Sequence, residues 1–309
     1  MARPMQDCIV LFGDSLTQRT DSPGNLSQLM AESYQRKLDI LNRGFGGYNT
    51  VWQVDPRSEP PKRRSRTSPF IRLLEYSSIS PSSGTCLAKP LFDEIFARKG
   101  DADKSPVVRL VTIWFGTNDS VLPSREQHVS LPLFISNLSH FLDCLTSPNS
   151  PYAVADTPIS IILITPPPCL HSQMEVEKRP HRSLERTREF RDAVVQLGKQ
   201  WDDRSNGKSW AVKTVDLWKA MVTEVGEGEE LAPFFFDGVH LTTRGYGVLW
   251  KEVTRVIKVD FKGRGLDWED FDDLPRRVPI FSEIDYKRPE SVVQKMALPT
   301  IRKNTSLRI

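Results

Sequence analysis

Five short runs of aliphatic and β-branched residues, at positions 8–12, 39–42, 107–115, 160–165 and 212–217, constrain this chain more than any other feature. Several are largely apolar, as strands should be when both faces of a parallel sheet are covered and neither meets water. Between them, helical spacing is read at 26–37, 90–98, 131–145, 184–203 and 243–258. In the fourth, Phe190, Ala193, Val194 and Leu197 recur on a background of Arg, Glu and Asp, which gives one apolar stripe for the sheet and a solvated outer face. Strands alternating with helices are the pattern of βαβ units, so an α/β fold on a five-stranded, mostly parallel sheet is expected.

Apolar residues make up 39% of the chain, enough for one large core. The longest apolar runs fall well short of the ~18 residues that a membrane span requires, so no transmembrane segment is expected. The first residues lack the apolar stretch and small-residue cleavage site of a secretory signal, and a cytoplasmic location is the expectation. Cys8, Cys86, Cys144 and Cys169 lie far apart with no CxxC pair, which argues against a zinc site and a disulfide framework, and neither metal nor cofactor is expected. With 42 basic and 39 acidic side chains the net charge is +3, too slight a field to imply a nucleic-acid partner.

Two segments depart from the compact pattern. Residues 53–89 contain five Pro, eight Ser and seven Lys or Arg, including the basic run at 62–66. Connections in compact domains usually take roughly 2 to 6 residues. A disordered or loosely packed insertion is therefore expected, its basic run a solvated loop, with nuclear targeting or an acidic partner as the alternatives. From residue 260 an acidic cluster and then prolines at 275, 279, 289 and 299 indicate a C-terminal extension. It is expected to wrap the surface on Trp268, Phe271 and Phe281 and then to fray. The organisation read here is one domain at 5–259, interrupted at 53–89, with an extension at 260–309.

The first run ends in Phe12-Gly13-Asp14-Ser15-Leu16-Thr17, placing a serine at the carboxyl end of a strand, where open α/β sheets bind ligands. Such a serine can equally cap a helix or a turn. As a nucleophile it needs a base, and that base needs a partner to fix its tautomer. His128, His140, His171 and His181 have no carboxylate at a suggestive spacing. In Asp237-Gly238-Val239-His240, just ahead of the last helix, Asp237 can fold back to accept the Nδ1 hydrogen and leave Nε2 for the serine. A plain turn with a helix cap accounts for the same four residues, whereas a metal pair lacks further ligands. Acyl transfer also needs fixed donors for an oxyanion. Candidates are the glycine-rich segment 42–50 after the second strand and Asn118, in Gly116-Thr117-Asn118-Asp119, after the third.

Taken in order, these blocks resemble the SGNH hydrolases, the GDSL-type esterases, and most nearly the isoamyl acetate-hydrolysing esterase branch. The similarity rests on Gly13-Asp14-Ser15-Leu16-Thr17-Gln18, on 42–50, on Gly116-Thr117-Asn118-Asp119 and on Asp237-Gly238-Val239-His240-Leu241. It continues through Ile164-Thr165-Pro166-Pro167-Pro168, Val215-Asp216-Leu217-Trp218 and Gly245-Tyr246. The resemblance implies a flavodoxin-like three-layer α/β/α sandwich. By residue it implies Ser15 as nucleophile, His240 as base, Asp237 as its partner, and an oxyanion hole from the Ser15 and Gly47 amides with the Asn118 side chain. It further implies a serine esterase acting on small carboxylic esters, of short-chain acetate type, through an acyl-enzyme. Lysophospholipase, thioesterase and carbohydrate deacetylase activities use the same machinery. A non-catalytic protein that contacts an acidic partner through the basic insertion is the contrasting expectation.

Overall fold

The computed structural model describes residues 6–50 and 88–296. The expected insertion, apart from its last two residues, lies outside the described residues, as does the basic run at 62–66. Strands β1 (Asp7–Gly13), β2 (Leu38–Gly44), β3 (Val108–Trp114), β4 (Ser160–Ile164) and β5 (Ala211–Val215) fall on the five expected runs. They form one sheet in the order β2-β1-β3-β4-β5, with every pairing parallel. β1, β3 and β4 are buried at every position, which is why their sequences are largely apolar, with Arg109 and Thr112 the exceptions inside β3.

Alternation along the strands divides the core in two. Ile9, Leu11, Leu110, Trp114, Ile162 and Ile164 face one side, while Cys8, Val10, Phe12, Val111, Ile113 and Ile161 face the other. After the short helix α1 (Ser15–Gln18), helix α2 (Leu26–Ser33) covers the first side. On the second side lie α3 (Ala88–Ile95), α4 (Leu131–Thr146) and α5 (Leu184–Arg204). α6 (Leu217–Val225) and α7 (Thr243–Arg255) return to the first side and complete the three layers. No helix among the described residues is long and apolar enough to cross a membrane.

Some boundaries differ from the sequence reading, for identifiable reasons. α2 stops at Ser33 instead of continuing to 37 because the chain turns through Arg36, at φ 61°, into β2. The turn delivers the Lys37 ammonium to the carbonyls of Trp268 and Leu274, both at 2.7 Å, so a tertiary contact overrides helix propensity. α6 was not expected. It starts where Asp216 ends the fifth strand and caps the Lys219 amide at 3.1 Å. α7 closes in a π turn over Val256–Asp260.

The extension is anchored differently from expectation. Phe261, Leu266 and Leu274 join the core beneath α2 and α7, and Trp268 packs against it. Phe271 and Phe281, expected as anchors, are 53% and 70% exposed. The Asp270 side chain accepts from the amides of Asp272 and Asp273, and its carbonyl accepts from Leu274. That turn sends Leu274 inward and leaves Phe271 outside, against the Lys37 and Arg276 cations.

The end of β2 touches α1 closely enough to require glycine. A Cβ on Gly44 would stand 2.1 Å from the Gln18 amide nitrogen, a backbone atom that cannot swing aside. Gly44→Ala should therefore lower stability by about 2 kcal/mol or more through overpacking. Gly100→Ala, where a Cβ meets nothing within 4 Å, serves as the neutral control. Chemical denaturation of the two variants checks this, and equal midpoints would refute it.

Candidate active site

Gly13 pairs with Gly44 on one side and with Trp114 on the other, so β1, β2 and β3 end side by side. The loops leaving these ends carry Ser15, Gly47 and Asn118. Asp14 is the N-cap of α1: its carboxylate accepts from the Leu16 amide at 2.9 Å, which makes Ser15 the first helical residue. The Ser15 Oγ is thereby left for another partner.

That partner is His240. Ser15 Oγ lies 2.9 Å from Nε2 of the imidazole, across 225 residues of sequence. On the other side of the ring, Nδ1 lies 2.7 Å from Asp237 Oδ2. A carboxylate only accepts, so Nδ1 carries the hydrogen and Nε2 presents its lone pair to the serine hydroxyl. Asp237 Oδ1 also accepts from the amides of His240 at 2.8 Å and Val239 at 3.0 Å. The same carboxylate therefore shapes the turn and orients the ring. Burial alone would raise the Asp237 carboxyl, but these hydrogen bonds and the nearby imidazole outweigh it and hold the group well below the usual carboxylate range.

The oxyanion candidates are held by a second network. The Asn118 side-chain amide donates to the Tyr48 carbonyl at 2.8 Å, tying the third-strand loop to the turn that contains Gly47. Gly47 adopts φ 80°, a left-handed conformation that suits glycine. Among the described residues, the N–H groups of Ser15 and Gly47 donate to no partner. Each is thus available to a ligand oxygen.

Several residues at this site escaped the sequence reading. Asp119 accepts from the Thr50 amide at 2.7 Å, from the Thr50 hydroxyl and from the Gly116 amide at 3.1 Å, all within the core. Gln127 donates to the Gly47 carbonyl at 2.6 Å. Arg182, on the loop after β4, donates to the Thr117 carbonyl at 2.6 Å and is held by burial below the usual arginine range. Phe236 stacks on the His240 ring with centroids 5.8 Å apart, and the Arg19 guanidinium lies 4.2 Å over its face. Asp119 stands inside the Gly116–Asp119 block, but its contacts, like those of the others, are made only through folding. His128, His140 and His181 pair elsewhere, with the Val121 carbonyl, Cys144 and Ser124. An open depression of about 390 Å³ on the C-terminal segment, lined by Phe271, Arg276, Pro279, Glu283 and Lys295, shares no residue with the constellation.

A model of the family described as GDSL-like lipase/acylhydrolase matches residues 9–253. A GDSL esterase/lipase of Arabidopsis thaliana is 27% identical over 309 residues, covering 95% of this chain and all of the relative. An isoamyl acetate-hydrolyzing esterase 1 homolog of Bos taurus is 27% identical over 293 residues, covering 91% of this chain and 90% of that protein. Among solved structures, a carbohydrate acetylesterase family member from Sinorhizobium meliloti aligns with a TM-score of 0.50 at 13% identity, over 82% of this chain and 98% of the other. That last likeness speaks to the fold alone.

Two carboxyls near the strand ends are fully buried, Asp14 next to Ser15 in sequence and Asp119 next to Asn118. Burial raises Asp14 to about 7, with the Asp119 charge adding to the effect, and burial raises Asp119 to about 6. At mildly acidic pH the folded chain holds a proton on Asp14 that an ordinary aspartate, near about 3.9, has released. Stability is therefore lost as pH rises from about 4 through about 7. Asp14→Asn, neutral throughout, should gain on the wild type by roughly 1 to 3 kcal/mol between about pH 5 and about pH 8. Denaturation curves at the two pH values measure the difference, and a constant gap would exclude Asp14 as the titrating group.

Proposed function

The chain belongs to the GDSL-like lipase/acylhydrolase family and is an ester hydrolase, and on that premise we propose that it cleaves small carboxylic esters of acetate type through an acyl-enzyme on Ser15. The observation that carries this reading is the hydrogen-bonded line from Ser15 Oγ through the His240 ring to Asp237, at 2.9 and 2.7 Å. The likeness to the bovine isoamyl acetate-hydrolyzing esterase 1 homolog supports a short acyl group and an uncharged alcohol.

In this mechanism the Ser15 oxygen attacks the carbonyl carbon while its proton passes to His240 Nε2. The carbonyl oxygen becomes an oxyanion, received by the amides of Ser15 and Gly47 and by the Asn118 side chain. Collapse of the tetrahedral adduct breaks the ester bond, and the leaving alkoxide takes the proton from His240. A water then gives its proton to His240 and attacks the acyl carbon. The second collapse releases the carboxylic acid and restores the serine hydroxyl. Asp237 keeps the imidazole in the required tautomer and stabilises its cation at both stages.

An activated serine displaces fluoride from a fluorophosphonate, forming an O–P bond as the P–F bond breaks, and leaves a tetrahedral phosphonyl adduct that resembles the ester intermediate. Peptide mapping should find one stoichiometric adduct, at Ser15. Ser15→Ala should abolish labelling and turnover with the melting temperature nearly unchanged, and His240→Ala should label far more slowly. No adduct and no turnover across a nitrophenyl ester series, in folded protein, would sink the enzymatic reading. Asn118→Ala should cost about 10² to 10³ in kcat if its amide receives the oxyanion, with little change in KM. A large rise in KM at constant kcat would make Asn118 a substrate-binding residue instead.

A further inference from the structure

We propose that Gln127 is a positioning residue that aims the Gly47 amide into the oxyanion site. The inference rests on the catalytic reading above and extends it to a side chain outside the recognised blocks. Gly47 sits in an exposed turn, and at φ 80° nothing about its own chemistry holds it there. Its aim must come from its neighbours.

The peptide planes on both sides of the Gly46–Gly47 peptide are pinned. The Gly46 N–H donates to the Gln18 side-chain carbonyl, fixing the plane before it. The Gly47 carbonyl accepts from Gln127 Nε2 at 2.6 Å, and the Tyr48 N–H donates to the Phe45 carbonyl at 3.1 Å, fixing the plane after it. Between them, the plane that carries the Gly47 N–H has no partner of its own among the described residues. A peptide held at both neighbours and free itself is an oriented, unspent donor.

Gln127 is joined to the turn twice, because its backbone carbonyl also accepts from Asn49 Nδ2 at 2.9 Å. It lies in the loop after β3, nine positions beyond Asn118. The two donors proposed for the oxyanion are thereby referenced to one loop, Asn118 through Tyr48 and Gly47 through Gln127. A carbonyl requires a donor opposite it, so the chemistry demands N–H at position 127 rather than bulk.

The test uses Gln127→Ala, Gln127→Glu and Gln127→Lys in the full chain, with nitrophenyl acetate as substrate. Loss of one partly exposed hydrogen bond should lower kcat by about three- to tenfold in the Ala and Glu variants. KM should stay within about twofold, since the oxyanion forms only after binding. Lysine, which restores a donor of similar reach, should recover most of kcat, whereas a space-filling role would be served better by the near-isosteric Glu. Amide hydrogen exchange over residues 45–50 should quicken in the Ala variant at unchanged melting temperature. Unchanged kcat, a KM effect alone, or rescue by Glu but not Lys would overturn the proposal. If the wild type neither turns over nor labels at Ser15, the catalytic reading fails by itself. The exchange measurement still decides the clamp, which unaltered exchange in Gln127→Ala would refute.

Discussion

The parallel pairing of β1 with β2 on one side and β3 on the other is the constraint on which the site depends. Adjacent strands lie about 4.8 Å apart. Three consecutive strand ends therefore set the origins of the Ser15, Gly47 and Asn118 loops within about 10 Å, about the span of a small ester and its donors. Each loop then needs only a few residues to reach the others. The close approach of Gly44 to Gln18 shows how tightly the first two are stacked. The Ser15 and Gly47 turns are accordingly built on one edge of the sheet, which is what the proposed electrostatic preorganisation would require.

Charge at the site is arranged unevenly. Asp237 is partly exposed, accepts three hydrogen bonds and stays ionised, whereas Asp14 and Asp119 are wholly buried and their ionisation is disfavoured. In the proposed mechanism the distinction matters, because an imidazolium at His240 would need one fixed anion beside it, and further anions would oppose a developing oxyanion. Arg182 adds a cation that acts on both Asp14 and Asp237 while its hydrogen bond to Thr117 steadies the Asn118 loop. The first-strand turn, the third-strand turn, the loop after β4 and the turn ahead of α7 thus share one electrostatic balance.

Much of this was legible in the sequence because the same physics wrote both. β1, β3 and β4 are buried on two faces, so their composition betrays them, and ligand-binding residues of an open parallel sheet must follow strand ends, so Ser15 and Asn118 could be read by position. Asp237 and His240 were readable because a three-residue turn lets one carboxylate reach both the ring and its amide. Gln127, Arg182 and Phe236 were not, since each acts on a residue more than 3 positions away and its identity says nothing about what lies opposite. The extension shows the same limit. Phe271 is not the anchor expected, because a hydrogen-bonded turn at Asp270, not hydrophobicity, decides that Leu274 faces inward there, and Phe281 is exposed as well.

One part of the catalytic line is not built on the sheet. His240 comes from the loop ahead of α7, and its distance to Ser15 is fixed by how that helix docks. Three hydrogen bonds join this region to the segment that follows the nucleophile: Tyr246 Oη to the Leu16 carbonyl at 2.7 Å, Thr243 Oγ1 to the Pro23 carbonyl at 2.8 Å, and Ser22 Oγ to the Leu241 carbonyl at 3.3 Å. Beneath them Tyr246 and Trp114 meet edge to face in the core. Tyr246 is buried and its oxygen has found its carbonyl, so displacing α7 would strand a polar group in an apolar layer at a cost of about 1 to 3 kcal/mol. The His240 ring is thus held to Ser15 by core energetics as well as by the single hydrogen bond between them. In the proposed mechanism that bond can therefore break and re-form at each step without loosening the site.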